Sequence, residues 1–488
     1  MKQILARRRA GVLLHPTSLP GGDFGRDAFR FLDFMHAAGL SVWQTLPLGP
    51  THADGSPYHA LSVHAINPGF VSLEKLAEEG WLARVPSGID KDTRAAALAQ
   101  AQAWLLTHGS AEDRAEFENF CIEHSHWLRG YALYQALREE HGERPWWAWP
   151  EKLRDREEQA LEAARARLKD VLATIEFIQF VADRQWQALR AYAHSRGILL
   201  LGDMPIFVAH DSAAVWANRE CFKLNAKGQP TVVAGVPPDY FSASGQHWGN
   251  PHYNWENLSQ HDFHWWIRRL ATEFSRFDFV RVDHFRGFEA CWEIPAGEKT
   301  AVNGRWVKVP GADLFDELLS HFGHLPLVAE DLGVITPEVN QLRDRYGLPG
   351  MAVLQFAFDG GPENPYLPHN IKSNTLVYTG THDNDTTSSW FEKLPAQKQL
   401  YVVNYLGYLY EPMPWPLIRT ALMSVARLAV IPLQDLLGLG SGHRMNTPGT
   451  SSGNWAWKFS WSDFAPDLAE RTRGLVSVYG REGKDESR

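Results

Sequence analysis

Eight short apolar runs recur along the chain, and each leads into polar, glycine or proline positions. They are residues 11–14, 41–46, 197–202, 277–282, 325–329, 351–358, 376–381 and 428–433. Continuous apolar runs of this length are typical of parallel strands that are buried on both faces. The pattern predicts an α/β fold, a (β/α)8 barrel with the active site at the carboxyl ends of its strands. A doubly wound sheet, whose strand ends also carry function, stays open at this point.

Two long segments interrupt the alternation of strands and helices. Residues 73–196 are rich in Ala, Glu, Arg and Leu, and a stretch such as 155–170 has helical spacing and few β-branched residues, so we predict a helical insertion between strands 2 and 3. Residues 205–275 are rich in Pro, Gly, Tyr, Trp and Asn, which predicts a loop-rich insertion between strands 3 and 4 with a functional role. We expect one catalytic barrel over residues 1–488, with a frayed polar tail at 481–488.

Composition and net charge limit which kinds of molecule the protein can bind. The 488 residues are 44% hydrophobic and 22% charged, as in an ordinary globular protein. The net charge of −9 argues against a nucleic acid or an anionic membrane as partner, because both require a positive field on the protein. A neutral substrate is compatible with this charge. The 20 tryptophans can stack on sugar rings, although core packing explains most of them.

Cysteine usage and hydropathy point to a cytoplasmic protein. The three cysteines are odd in number and far apart, which is not a disulfide framework and fits a reducing compartment. The apolar stretch Ala10–Leu14 is too short for the core of a signal peptide. Because the sequence contains no apolar run of about 18 residues, we expect no membrane span.

The segment from Phe277 to Gly287 combines a strand pattern with an arginine and a carboxylate. Strand alternation places Phe279, Arg281 and Asp283 on one face, so Arg281 and Asp283 would point together into the barrel mouth. An arginine favours the ionised form of a neighbouring carboxylate, which a nucleophile requires. A buried ion pair without a catalytic role explains this segment equally well.

Two adjacent acids, Glu330 and Asp331, end the fifth run. Neighbouring side chains of a strand point in opposite directions, and Glu330 is the first polar side chain at the rim. A carboxylic acid that donates a proton near neutral pH needs a raised pKa, and partial burial beside the charge of Asp283 would provide it. The alternative is that Glu330 or Asp331 caps the following helix.

The seventh run leads into a segment dense in short hydrogen-bonding groups, residues 378–387. Such groups suit a polyhydroxylated ligand, because a carboxylate and an imidazole can bind vicinal hydroxyls as a pair. His382 and Asp383 are the candidates, with metal ligation as a weaker alternative, since an HxH or HExxH arrangement is missing. We expect neither a metal nor a cofactor. Two carboxylates about 5 to 5.5 Å apart on either side of a glycosidic bond would cleave it with retention of configuration.

The chain resembles the amylomaltases, the 4-α-glucanotransferases of glycoside hydrolase family 77 within the α-amylase clan. The matching segments occur in family order across nearly the whole chain, and they are GVLLHPTSLPG from Gly11, WQTLPLGPT from Trp43, GSPYHALSVHAINP from Gly55, GDMPIFVAHDSAAVWAN from Gly202, AGVPPDYFSASGQHWGNPHYNW from Ala234, FVRVDHFRGF from Phe279, VAEDLG from Val328, LPGMAVLQFAF from Leu348, TGTHDNDT from Thr379 and RMNTPGTSSGNWAWK from Arg444.

The resemblance implies a role for each candidate residue. Asp283 would be the nucleophile, Glu330 the general acid and base, and Asp383 the third acid, which with His382 binds hydroxyls of the sugar and favours its distortion. The further substrate-binding residues would be Arg281 holding Asp283, Asp203 and Tyr58 lining the donor site, His284, and a lid over the acceptor side that contains Tyr240, Phe241, Ser242, Gln246 and Trp248.

The resemblance also implies the substrates, α-1,4-glucans and maltooligosaccharides with glucose as an acceptor, and it leaves the oligomeric state open. An α-amylase-like hydrolase is the nearest alternative. Only about 50 residues follow the eighth run, which is too few for the C-terminal β-sandwich that usually follows the barrel of an α-amylase. A catalytically inactive glycan-binding protein is a further alternative, against which the intact acids argue.

Overall fold

The structure is a computed structural model that describes residues 4–238, 242–407, 410–450 and 452–482. Within these residues it contains strands β1 (Arg9–Leu13), β2 (Val42–Gln44), β3 (Leu199–Pro205), β4 (Val232–Val236), β5 (Gln246–Pro251), β6 (Phe279–Asp283), β7 (Ala290–Pro295), β8 (Arg305–Lys308), β9 (Leu327–Ala329), β10 (Gly350–Val353), β11 (Thr375–Tyr378) and β12 (Leu428–Pro432). Eight of them form one parallel sheet in the order β10-β11-β12-β1-β2-β3-β6-β9. Each of the eight overlaps one of the predicted apolar runs.

The sheet closes into a barrel between its two end strands. The Ala329 amide donates to the Pro349 carbonyl (2.9 Å), and the Met351 amide donates to Asp331 Oδ1 (2.7 Å). Side chains alternate along each strand, so Phe279 packs in the barrel interior while Val280 and Val282 pack against the surrounding helices. The predicted (β/α)8 barrel is confirmed.

Helices cover the barrel and build the segment between β2 and β3. Helix α1 (Arg26–Ala37) follows β1, and the segment after β2 contains α2 (Leu73–Glu78), α3 (Lys91–His108), α4 (Ala111–Glu123), α5 (Ser125–Glu140), α6 (Glu151–Arg154), α7 (Glu158–Arg167) and α8 (Lys169–Ser195). Capping boxes start α3 at Asp90 and α4 at Ser110, where each side chain satisfies a free amide of the first turn. This segment is helical, as the sequence predicts.

The segment after β3 is more regular than the predicted loop-rich insertion. It contains α9 (Ala213–Ala217), β4, β5, α10 (Trp255–Gln260) and α11 (His264–Arg276). Strands β4 and β5 join β7 and β8, which follow β6, in an antiparallel sheet of order β5-β4-β7-β8. Because β7 begins shortly after the catalytic candidate Asp283, this small sheet lies beside the barrel mouth.

The remaining helices complete the outer layer. They are α12 (Gly311–Phe322), α13 (Pro337–Arg345), α14 (Thr387–Lys393), α15 (Ala396–Leu406), α16 (Trp415–Met423), α17 (Leu433–Leu436) and α18 (Leu468–Val478). Among the described residues, none of the helices is both long enough and apolar enough to span a membrane.

The prediction that the frayed tail begins at residue 481 is wrong. Arg481 is fully buried at the amino ends of the barrel strands, where its guanidinium donates to the carbonyls of Arg9 (2.8 Å), Ser424 (2.9 Å) and Ala426 (2.9 Å). Main-chain carbonyls that a folded barrel leaves without partners attract a group with five donors, so this polar residue is drawn inward. The rest of the predicted tail, residues 483–488, lies outside the described residues.

Candidate active site

Arg281 organises the carboxylates at the barrel mouth. Its Nη2 donates to Asp283 Oδ1 (2.8 Å), and its Nη1 donates to both oxygens of Asp203 (2.8 and 2.7 Å). Arg281 is 5% exposed, whereas one third of the Asp283 side chain (33%) faces solvent. The rigid guanidinium fork therefore fixes Asp283 at the rim and leaves its Oδ2 for a ligand.

Asp203 lies near the end of β3, next to Arg281. It pairs with Arg281 in the β3–β6 register, and only 1% of the residue is exposed. Its Oδ2 also accepts the hydroxyl of Tyr58 (2.8 Å). The carboxylate of Asp203 holds Arg281 and Tyr58, and its predicted role in lining the donor site stays a prediction.

Glu330 lies next to Asp283 on the neighbouring strand. Val282 pairs with Ala329, and the Glu330 amide donates to the Val282 carbonyl (3.0 Å), so the two acids follow equivalent positions at the ends of β6 and β9. Adjacent strands lie roughly 4.8 Å apart. Burial and the nearby charge of Asp283 raise the pKa of Glu330 to about 7. Glu330 can therefore donate and accept a proton near neutral pH.

Asp331, the neighbouring acid, points away from the mouth. It forms an ion pair with Arg343 on α13 and accepts the Met351 amide. Helix α13 begins after Thr336, so neither Glu330 nor Asp331 caps it. The choice of Glu330 as the acid that faces the site agrees with this geometry.

The turn after Asp283 is strained and holds Glu330. His284 has φ 56° and ψ 49°, a left-handed conformation that is uncommon for a residue with a side chain. This conformation directs the His284 amide to Glu330 Oε2 (2.7 Å), and the Leu332 amide donates to Oε1 (3.0 Å). Backbone strain of this kind is concentrated at functional sites, where it fixes the geometry of reacting groups.

His382 and Asp383 lie on the loop between β11 and α14. The ring of His382 is 9% exposed and stacks on Tyr58, with centroids 5.1 Å apart. Asp383 is half exposed, and its Oδ1 lies 3.4 Å from His382 Nε2. The structure thus brings Tyr58, His382 and Asp383 together, with Tyr58 linked to Arg281 and Asp283 through Asp203.

The predicted lid residues lie partly beside this site. Gln246 and Trp248 belong to β5, the Trp248 indole donates to Gln246 Oε1 (3.0 Å), and its ring meets that of His284 edge to face at 5.0 Å. Ser242 donates to the Gly245 carbonyl (2.8 Å) in the turn that leads into β5. Tyr240 and Phe241 lie outside the described residues.

Three residues of the segment 444–455 reach the site although their residue types and spacing offered no chemical reason to select them. Asn446 donates to Asp383 Oδ1 (2.6 Å), Arg444 donates to the Asp383 carbonyl (2.7 Å), and the ring of Trp455 lies 5.9 Å from that of His382. The segment RMNTPGTSSGNWAWK, noted above for its resemblance, was the available signal. No group of three or more His, Cys, Asp or Glu side chains within the described part of the chain is arranged to hold a metal ion.

Comparisons with known proteins show the family of the chain. The sequence model of a family described as 4-alpha-glucanotransferase, glycoside hydrolase family 77, matches residues 13–463. The chain is 50% identical to a 4-alpha-glucanotransferase of Thermus thermophilus (97% of this chain, 99% of the relative) and 48% identical to one of Synechocystis sp. (98% and 99%).

A solved amylomaltase of Streptococcus agalactiae, in complex with acarbose, superposes with a TM-score of 0.93 at 35% identity, covering 98% of this chain and all of that one. These relatives match along their whole length, so the similarity includes the barrel, the helical segment and the small sheet. The chain belongs to the 4-alpha-glucanotransferase family, glycoside hydrolase family 77.

Proposed function

We propose that this chain is a 4-α-glucanotransferase that moves a segment of an α-1,4-glucan to the 4-hydroxyl of another glucan or of glucose. The observation that carries the chemistry is the pair of acids at the ends of β6 and β9. Asp283 is held by an arginine, while burial and the charge of Asp283 raise the pKa of Glu330 to about 7. Two neighbouring carboxyl groups with separate roles are what a retaining glycosidic mechanism requires.

In the first step, Asp283 Oδ2 attacks the anomeric carbon of the donor glucan. The electron pair of the glycosidic bond passes to the leaving 4-oxygen, and protonated Glu330 delivers its proton to that oxygen. The products are a glucan shortened at its non-reducing side and a glycosyl ester of Asp283. Because Arg281 binds Oδ1, it orients the attack and disperses the charge of the carboxylate.

In the second step, the 4-hydroxyl of the acceptor displaces the ester. Glu330, now ionised, takes the hydroxyl proton, and the carboxylate of Asp283 is restored. Two inversions at the anomeric carbon return the α configuration. Both the energy and the type of the glycosidic bond are preserved, so the reaction needs no cofactor.

Binding of the donor sugar is assigned to the loop that contains His382 and Asp383. The support is their proximity to Tyr58 and, through Asp203 and Arg281, to Asp283. An imidazole and a carboxylate 3.4 Å apart can bind two adjacent hydroxyls of one ring. Hydrogen bonds of this kind that tighten as the ring flattens lower the barrier by stabilising the transition state.

The acceptor side is assigned to the small sheet and the turn after Asp283. Trp248 is 37% exposed and in contact with the His284 ring, whose buried Nε2 lacks a hydrogen-bond partner among the described residues. An exposed indole packs against a sugar ring, and Nε2 can bind a hydroxyl. Gln246 and Ser242 complete this side, and we retain Tyr240 and Phe241 as lid residues from the sequence. An occupied acceptor site excludes water from the ester, which favours transfer over hydrolysis.

The proposal includes a cytoplasmic location. Its support is chemical, since Cys121, Cys221 and Cys291 are free thiols, which suits a reducing compartment.

The test is the product pattern from pure maltotriose. Transfer produces glucose together with maltotetraose and longer chains, and the number of reducing ends stays constant. Accumulation of glucose and maltose alone, with a rise in reducing ends, would establish a hydrolase and refute the proposal. Adding labelled glucose tests the acceptor separately, because label must enter maltooligosaccharides.

A further inference from the structure

A small pocket that opens to solvent adjoins the loop that carries His382 and Asp383. Its walls include His15, Thr381, His382 and Asn384. His15 is 5% exposed, and its Nδ1 has no hydrogen-bond partner among the described residues. A side chain next to a cavity has fewer contacts that fix its position. The position of the loop therefore depends on its hydrogen bonds as well as on packing.

Asp435 ties the two ends of this loop together. It lies in the first turn of α17, directly after β12, and is 1% exposed. Its Oδ2 accepts the hydroxyls of Thr379 (2.6 Å) and Thr387 (2.7 Å), and its Oδ1 accepts the Thr387 amide (2.8 Å). Thr379 is the first residue after β11 and Thr387 is the first residue of α14. One carboxylate thus closes the segment 379–387 at its base.

The bonding of Asp435 is suited to positioning. Within the described part of the chain its donors are two hydroxyls and an amide rather than an arginine or a lysine. Burial raises its pKa, while the three donors act in the opposite direction. Short hydrogen bonds to a buried carboxylate are stronger and more directional than those between neutral groups. Removing the acceptor would leave three buried donors without a partner, which costs stability and order in the loop.

The tip of the loop has a second set of contacts. Asn446 donates through its amide to the His382 carbonyl (3.1 Å) and through its side chain to Asp383 Oδ1 (2.6 Å). Gln355 donates to the Asp385 carbonyl (2.9 Å) from the end of β10. The tip contacts come from Asn446 and Gln355, whereas Asp435 connects the base of the loop to the end of β12.

We propose that Asp435 is a positioning residue for the transfer reaction, holding the base of the loop 379–387 so that His382 and Asp383 keep the geometry that the distorted sugar requires. The inference rests on the proposed role of these two residues in binding the donor sugar. Because the loop would act mainly in the transition state, its loss should lower kcat more than it raises KM.

The experiment compares Asp435→Asn with Thr379→Val and Thr379→Ser in the full chain. Asp435→Asn and Thr379→Val remove charge or a hydroxyl with little change of volume, while Thr379→Ser keeps the hydroxyl. With maltotriose as substrate we expect kcat to fall about 10- to 100-fold for the first two, since small misplacements of a binding group have effects of this size. KM should change less than about threefold, and Thr379→Ser should stay close to the wild type. Hydrogen exchange of the peptide spanning 379–387 should accelerate in the first two alone.

Asp211→Asn is the matched control. Asp211 is 9% exposed and likewise accepts three donors, Tyr134 Oη (2.8 Å), the Trp146 amide (3.2 Å) and Arg138 Nε (3.5 Å), at the helical segment. The Asp211→Asn substitution should lower the melting temperature without changing kcat or the hydrogen exchange of residues 379–387.

An unchanged kcat in Thr379→Val and Asp435→Asn overturns the inference, as does an equal loss in Asp211→Asn. If Asp435→Asn does not fold, the two Thr379 variants decide. If the wild type fails to produce oligomers longer than maltotriose, the proposed function is refuted instead. The exchange measurement would still test whether Asp435 holds the base of the loop 379–387.

Discussion

The two ends of the barrel each bury an arginine, and the two arginines have opposite surroundings. At the carboxyl end Arg281 binds the carboxylates of Asp203 and Asp283; burial would lower its pKa, but the two acids outweigh burial and raise it. At the amino end Arg481 binds main-chain carbonyls, and burial together with the nearby Arg8 lowers its pKa to about 9. An arginine therefore holds carboxylates in position at one end of the barrel and satisfies main-chain carbonyls at the other.

The two ends of the barrel also differ in how favourable their local conformations and charges are. The catalytic end holds a left-handed His284 and a glutamate whose ionisation is unfavourable at its position. At the amino end, main-chain carbonyls accept hydrogen bonds from the guanidinium groups of Arg481 and Arg8. Arg8 donates to the carbonyls of Tyr479 and Leu422. Reactive groups are kept in unfavourable states by a scaffold that is stabilised elsewhere. Substitutions at the two ends should therefore separate activity from stability.

The largest effect is expected for Asp283→Asn. The amide is isosteric but is not a nucleophile, so kcat should fall by roughly 10⁴-fold or more, as for other enzymes that lose their nucleophile. The melting temperature should stay the same or rise, because a charge near Glu330 is removed. Steady-state assays with maltotriose and calorimetry check both. The exposed variant Asp316→Asn is the control, and activity within tenfold of the wild type in Asp283→Asn would remove this residue as the nucleophile.

Arg281→Lys should have the next largest effect. Lysine keeps the charge but cannot bridge Asp203 and Asp283 with a rigid fork, so Asp283 loses its orientation. We expect kcat to fall roughly 100-fold, on the scale of a 1 Å misplacement, with a small change in melting temperature. A full-activity Arg281→Lys enzyme would show that charge alone is sufficient at this end of the barrel.

The pH dependence of kcat/KM tests the raised pKa of Glu330. This parameter reports ionisations of the free enzyme, and Glu330 must be protonated for the first step. Since burial and Asp283 raise its pKa to about 7, kcat/KM should fall about tenfold per pH unit above that value.

The same pKa can be followed without turnover. In Asp283→Asn the charge that helps to raise it is gone, so the Glu330 carboxyl should titrate at lower pH in a carbon-13 NMR experiment. An alkaline limb that begins only above pH 9, or an unshifted titration in Asp283→Asn, would contradict the assigned coupling.

Arg481→Met should affect stability and leave the chemistry unchanged. It leaves several buried carbonyls without their donors, and we expect a loss of roughly 3 to 5 kcal/mol in the free energy of unfolding. Below the melting transition kcat should equal that of the wild type, because Arg481 lies at the opposite end of the barrel from Asp283. Thermal unfolding and initial rates are the measurements, with the exposed Arg345→Met as control. A lowered kcat at equal folded fraction would break the division between the two ends.

The barrel was predictable because its strands are buried on both faces and so read as continuous apolar runs. The small sheet was not, because β5 contains Gly249, Asn250 and Pro251, residues that disfavour strands, and because β4 also pairs with the distant β7. The position of Arg481 was also out of reach, since a polar residue near a chain end resembles a solvated tail. Its burial depends on carbonyl groups that only the closed barrel brings together.

At the site, strand alternation was sufficient to place Arg281 and Asp283 on one face, and Glu330 was chosen over Asp331 because it is the first polar side chain after the apolar run. The burial of Asp203 depends on the register that sets it opposite Arg281, which a single strand pattern does not contain. Asn446 and Arg444 reach Asp383 from a segment without helical or strand periodicity, so their contacts could not be derived from the sequence pattern, although the resemblance marked the segment.

The most direct test of the two-acid account is to trap the ester. Glu330→Gln incubated with α-maltotriosyl fluoride should form it, because fluoride leaves without protonation, and should then accumulate it, because the second step lacks its base. Peptide mass spectrometry should find a maltotriosyl group on the peptide that contains Asp283. A label on Asp383 or on another acid, or release of inverted product without any label, would contradict the account.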